Sequence, residues 1–152
     1  MADPGDVAVV RRVLAAPPED VWQEWVDPEA MADWMCPRPA RCLGVELNPV
    51  VGGRLRIDIE EAGVRFSVSG EFRELDPPRR LAFTWSCSTW PDPNALSVVT
   101  VTLAEHAGNA TLMTIEHALL PDGLRDRHES GWEAIAGQLA AAVQRHRPAA
   151  SG

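Results

Sequence analysis

The stretch Val64-Arg65-Phe66-Ser67-Val68-Ser69-Gly70-Glu71-Phe72-Arg73, the break Asp76-Pro77-Pro78 and the run Leu81-Ala82-Phe83-Thr84-Trp85-Ser86-Cys87 decide the fold. On both sides of the proline break every second residue is apolar, the period of a strand with one buried face. The same alternation extends outward. Leu55, Ile57 and Ile59 alternate with Arg54, Arg56 and Asp58 ahead of the turn Glu61-Ala62-Gly63, and Val45 and Leu47 precede the turn Gly52-Gly53. Downstream, Val99, Val101 and Leu103 are separated from Met113, Ile115 and His117 by a turn over residues 106–109. Short, hairpin-like connections predict one antiparallel sheet, a meander with an apolar face and a wet face.

Helical signals flank this block. A valine-rich strand over residues 7–14 leads into Pro17-Pro18-Glu19-Asp20, where proline suits a first helical turn and the acids favour the positive end of the helix dipole. Asp27-Pro28 repeats the signal, with Asp27 as N-cap and Met31 and Trp34 three residues apart. Two short helices therefore follow the first strand, and the proline-containing segment 35–41 is a loop. After Pro121-Asp122-Gly123 a long helix is predicted over 124–145, with Leu124, His128, Trp132, Ile135, Leu139 and Val143 in one stripe. A single amphipathic helix must bury that stripe against the apolar face of the sheet, giving an α+β domain.

The chain has 152 residues, 45% of them hydrophobic and 24% charged, enough for one self-sufficient core. A single domain over 1–147 with a tail over 148–152 is expected. No apolar run approaches the roughly 20 residues of a membrane-spanning helix, and Met1-Ala2-Asp3-Pro4-Gly5-Asp6 lacks the layout of a signal peptide, so a cytoplasmic protein with no membrane partner is expected. Cys36, Cys42 and Cys87 are odd in number and form no C-x-x-C pair, which fits reduced thiols in a cytosol. The net charge of −8, with no basic stripe, argues against a nucleic-acid partner. There is no Lys and no Tyr, so a Schiff-base lysine or a tyrosine acid is excluded. The all-arginine, Ala-rich and Pro-rich composition hints at a GC-rich bacterial genome. Gly52-Gly53 is a turn; without a G-x-G-x-x-G or a Walker lysine no nucleotide cofactor is expected. No G-x-S-x-G elbow accompanies the histidines, so no hydrolytic triad and no catalytic residue is assigned.

The order of elements resembles the helix-grip fold of the START/Bet v 1-like (SRPBCC) superfamily. The local motifs resemble the family named after the activator of Hsp90 ATPase, AHSA1-like. They are Ala16-Pro17-Pro18-Glu19-Asp20-Val21-Trp22, Asp27-Pro28-Glu29, Gly52-Gly53-Arg54, the run from Gly70 through Asp76-Pro77-Pro78 to Leu81, Phe83-Thr84-Trp85, Val99-Thr100-Val101, Thr111 to His117, and Gly131-Trp132. Asn109-Ala110-Thr111 stands where members often have Gly-Gly-Thr. The resemblance implies a curved antiparallel sheet wrapped around a long C-terminal helix, with a pocket between them for an apolar or amphipathic ligand. A stress or signalling role goes with it. It also allows a protein-interaction module, with a chaperone partner or a homodimer, and less readily a cavity enzyme.

A pocket of this kind needs an apolar lining and a few polar groups. The candidate lining from the sheet is Phe72, Phe83, Trp85 and Met113, and from the long helix Trp132 and Ile135. Trp34 and Trp90, beside proline-containing loops, are assigned to the rim, and Met35, at the start of the first of those loops, is a further candidate lining residue. His117 shares a strand face with Met113 and Ile115, and His128 shares the helix stripe with Trp132. Two readings of the histidines stand side by side: imidazoles that orient a polar ligand atom, or imidazoles each bonded to a backbone carbonyl at a buried edge. Two histidines with only Cys36 and Cys87 as conceivable further ligands make no metal site.

Overall fold

A computed structural model describes residues 7–92 and 94–146; the tail expected over 148–152 lies outside them. Seven antiparallel strands, β1 (Ala8–Leu14), β2 (Arg41–Leu47), β3 (Arg54–Glu61), β4 (Val64–Asp76), β5 (Arg80–Cys87), β6 (Ser97–His106) and β7 (Ala110–Ala118), form one sheet in the order β1-β7-β6-β5-β4-β3-β2. Helices α1 (Pro18–Val26) and α2 (Pro28–Ala32) follow β1, and α3 (Arg125–His146) ends the fold. β1 pairs with the last strand, Val10 opposite Ile115, so the sheet closes its sequence ends together.

The local chemistry behaves as the residue types require. Asp27 caps α2 through its carboxylate, which accepts from the Glu29 and Ala30 N–H groups. Ala62 and Gly63, both at positive φ (52° and 80°), make the two-residue β3–β4 turn whose twist matches its strands. β2 carries a bulge between Cys42 and Gly44, and β4 one between Phe72 and Glu74. Beside the second bulge β4 and β5 approach closely at Gly70. A Cβ on Gly70 would collide with the Thr84 carbonyl, and the Glu71 N–H donates to Thr84 Oγ1. The wet outer face holds along β3 and β4, where Arg54, Arg56, Arg65 and Arg73 are exposed, and fails only on β5, whose outward Ala82 and Thr84 are buried with their inward neighbours. Gly70→Ala should therefore cost about 1–3 kcal/mol. Gly44→Ala, whose Cβ meets nothing within 4 Å, should stay within about 0.5 kcal/mol. Urea unfolding of the pair checks both.

The sheet curls around α3, which buries Trp132, Ile135, Leu139 and Val143 as its stripe predicts, joined by Ala136 and Ala142. α1 and α2 plug one end. There Trp25 meets Trp34 edge-on at 4.8 Å and leans on Phe83 and Trp132, both at 6.3 Å. The last turn of α3 is pinned to the plug by charge. His146 Nδ1 reaches the buried Glu24 carboxylate at 2.8 Å and its Nε2 reaches Asp33 at 3.0 Å, while Arg145 bonds Asp33 at 2.7 Å. At the other end of α3, Glu129 accepts from the Val9 N–H and Arg125 donates to the Val7 carbonyl, so the first turns of the helix cover the outer edge of β1.

The cysteine expectation is overturned. Cys36 and Cys42 are joined in a disulfide and Cys87 alone is a free thiol. The loop reverses between them and brings their Cα atoms to 5.6 Å, within bridging range, which a spacing rule built on C-x-x-C does not register. The argument from cysteine count to a reducing compartment loses its basis. No described helix is long and apolar enough to cross a membrane.

Candidate functional site

Between α3 and the β3–β5 part of the sheet lies a cavity of about 640 Å³, within the roughly 300–1,000 Å³ of small-molecule sites. Its existence follows from side-chain size along α3. The C-terminal half of the helix presents Leu139, Ala142 and Val143 and packs shut. The N-terminal half presents Gly131, where a Cβ would meet nothing within 4 Å, so the space it leaves is not refilled. Met35, Pro37 and Ala40 close one end, and the turn at Ala62 and the segment Thr89–Pro91 frame a mouth. The end wall is fastened from two sides. The disulfide ties it to β2, and Gln138 of α3 donates to the Trp34 and Cys36 carbonyls while accepting from the Arg38 N–H, each at 2.9 Å. A smaller recess of about 340 Å³ lies over the disulfide and is lined by Asp33, Arg38 and Arg41 among others.

The structure brings Met35, Trp85, Trp90, His128, Trp132 and Ile135 together on the cavity wall. Trp34, Phe72, Phe83, Met113 and His117 are not on it. Each is fully buried, in the plug or deeper under α3, where side chains fill the space. Sequence reasoning missed Pro37, Ala40, Ile59, Phe66, Val68 and Leu124 on the wall. The readable signal was Gly131: a glycine inside a helix costs about 1 kcal/mol relative to alanine and asks for a reason.

The two histidines divide. His117 Nδ1 accepts from the Trp132 indole N–H at 3.0 Å, so the proton sits on Nε2, which donates to Ser97 Oγ at 2.7 Å. The Ser97 hydroxyl in turn donates to the Trp85 carbonyl at 2.8 Å. Both ring nitrogens are spent, and burial, helped by the nearby His128, pushes the His117 pKa down to about 3. This ring is neutral across the physiological range. Its partners are side chains, not the backbone carbonyl of the bland expectation. His128 does meet that expectation, since Nδ1–H donates to the Leu124 carbonyl at 3.0 Å, leaving Nε2 as an acceptor. Its pKa is lowered, chiefly by burial, with the Arg127 charge adding to that and the Leu124 bond opposing it. The His128 ring stands edge-on between Trp90 at 6.0 Å and His117 at 5.2 Å. Cys87, also on the wall, is bonded to Thr89 Oγ1 at 3.1 Å. Among the described residues no three His, Cys, Asp or Glu side chains converge as a metal's ligands would.

An antiparallel sheet curled around one long C-terminal helix, with two short helices after the first strand, is a helix-grip α+β domain of the START/Bet v 1-like class. The model of the family described as activator of Hsp90 ATPase homolog 1-like protein matches residues 15–144, and the chain belongs to that family. A Chromobacterium violaceum protein of known structure is 30% identical, with a TM-score of 0.82 over 92% of this chain and 98% of its own. CalU16 from Micromonospora echinospora is 25% identical, with a TM-score of 0.68 over 90% of this chain and 75% of its own. A Nitrosomonas europaea protein at 22% identity shares the fold, with a TM-score of 0.80 over 94% of this chain and 97% of its own. No curated protein matches the sequence.

Proposed function

We propose that the protein binds a small apolar or amphipathic molecule in the cavity between the sheet and α3. The observation that carries the proposal is the cavity itself: about 640 Å³, walled by Ile59, Val68, Trp85, Trp132 and Ile135, with a polar mouth. Burying apolar ligand surface there supplies affinity at roughly 25 cal/mol per Å² before the costs of association. The rival reading, a co-chaperone-like module or a homodimer, rests on the family name and not on a feature of this surface. A stress or signalling role belongs to the same resemblance, whereas a cytoplasmic setting rests on the layout of the first residues. No reaction is proposed.

The neutral fluorophore N-phenyl-1-naphthylamine tests the binding reading. It should bind at about one equivalent, quench tryptophan emission because Trp85, Trp90 and Trp132 line the wall, and raise the melting temperature by mass action. Gly131→Leu should keep the fold and abolish the binding by filling the open space beside α3. A probe that does not bind, or one that binds Gly131→Leu as well as the parent protein, overturns the proposal.

A further inference from the structure

We propose that the cavity selects an uncharged amphipath whose polar end carries a hydroxyl or similar group that both donates and accepts a hydrogen bond, docked between His128 Nε2 and Trp90 Nε1. The inference deepens the cavity-binding reading and rests on it.

Most polar atoms of the ring-lined wall are already engaged. The Trp132 indole N–H is held by His117, and both nitrogens of His117 are engaged. Cys87 and Thr89 bond each other, and the hydroxyl's remaining capacity belongs to an exposed residue. The Trp85 indole N–H is sealed from solvent without a partner. His128 uses Nδ1–H on the Leu124 carbonyl, so the ring is fixed in one tautomer and Nε2 keeps a lone pair with no partner among the described residues. Trp90 is only 7% exposed, yet its indole N–H makes no hydrogen bond and is not one of the two sealed, unpartnered indoles. One free acceptor and one free donor are thus carried on rings whose centres lie 6.0 Å apart. A hydroxyl is the smallest group that answers both, donating to His128 and accepting from Trp90.

Charge argues the same way. Arg127 and Glu61 are the charged side chains on the wall, both partly or wholly in solvent at the mouth. Deeper in, a carboxylate would meet aromatic rings and the lone pair of a neutral imidazole. Without a countercharge its desolvation would oppose binding. Arg127 beside His128 also disfavours the protonated imidazole that an anion would need.

Displacement of N-phenyl-1-naphthylamine by matched ligands decides the matter. 4-Butylphenol should displace the probe at about fivefold lower concentration than 4-butylanisole, which can accept from Trp90 but cannot donate to His128, the equivalent of one net hydrogen bond, and its advantage over butylbenzene should be larger still. 4-Butylbenzoate should be the weakest. His128→Phe should erase the phenol's advantage over the anisole, and Trp90→Phe should narrow its advantage over butylbenzene, each read as a ratio within one variant. If His128→Phe does not fold, the 15N shift of His128 Nε2 serves in its place. It should move on adding 4-butylphenol and stay still with butylbenzene, which a purely structural histidine would not do. Equal affinity for phenol and alkylbenzene overturns this inference and leaves the cavity reading standing. Strongest binding by the benzoate, lost in Arg127→Gln, overturns it in favour of an anion read at the mouth. Failure of the probe itself to bind overturns both readings.

Discussion

Trp132→Ala is expected to remove about 3–5 kcal/mol of folding stability, read as a shift in the urea midpoint at unchanged slope. Trp132 is 2% exposed and sits where three groups meet. Its ring contacts Trp85 at 5.3 Å, His117 at 6.0 Å and Trp25 at 6.3 Å. Truncation removes those aromatic contacts and opens the cavity further into the core. It also takes away the N–H that satisfies His117 Nδ1, leaving a buried acceptor with no donor, a loss that adds to the transfer cost. Trp132→Phe keeps the ring surface and removes the donor, so it separates the two parts and should cost clearly less. A loss below about 1 kcal/mol for the alanine variant would show that Trp132 is not a structural keystone.

The second large effect is set by pH. In the unfolded chain His117 takes up a proton near pH 6.5; in the folded chain it resists until about 3. Below pH 6.5 the unfolded state therefore binds more protons, and stability must fall as the pH falls. His117 alone should cost about 2 kcal/mol by pH 5 and on the order of 4 kcal/mol by pH 3.5. His128, lowered by burial, works in the same direction. His146 works in the opposite one. Its hydrogen bond to Glu24, aided by Asp33, raises its pKa, so its contribution is fully present below pH 6.5 and is lost as the pH rises through the folded value. Urea unfolding of the His146→Gln variant between pH 7 and 5, above the range in which ordinary carboxylates titrate, removes the opposing contribution and isolates the buried rings. A flat profile there would mean that folded His117 accepts a proton near 6.5, contrary to its role as acceptor for Trp132. His146→Gln should be less stable than the parent protein at pH 6 and nearly equal to it at pH 9.

These two predictions also mark where sequence stopped being informative. Alternation places Met113, Ile115 and His117 on one face of β7, because the strand period is a local property. Depth along that face is not local. Phe72, Phe83 and Met113 face inward as expected and still lie away from the cavity, because the plug of α1 and α2 and the packed half of α3 fill the space above them. The helix starts were readable from Asp27, Pro18 and Pro28, whose effects act within one turn. The partners of His117 were not, since Ser97 and Trp132 are 20 and 15 residues away and meet it only through the register of β6 on β7 and the seating of α3. The disulfide likewise depends on how residues 36–42 turn back, which their spacing alone leaves open. The close approach at Gly70 is intermediate. The glycine stands out in the strand pattern, but the Thr84 carbonyl that forbids a side chain there belongs to the next strand.

The treatment of the two sheet borders bears on how copies of the protein meet one another at high concentration. A bare strand border is a template for adding a foreign strand. At β1 that template is occupied, because Glu129 and Arg125 of α3 engage the main chain of Val9 and Val7 much as a neighbouring strand would. At β2 the border is interrupted instead. The bulge at Cys42–Gly44 spoils the regular spacing a docking strand must match, and Arg41 and Glu46 place opposite charges near its two ends. Strand-by-strand aggregation is left the short exposed stretch Arg11–Val13 of β1 and the irregular, charged border of β2, and smoothing the β2 bulge would lengthen the regular template open to a second copy.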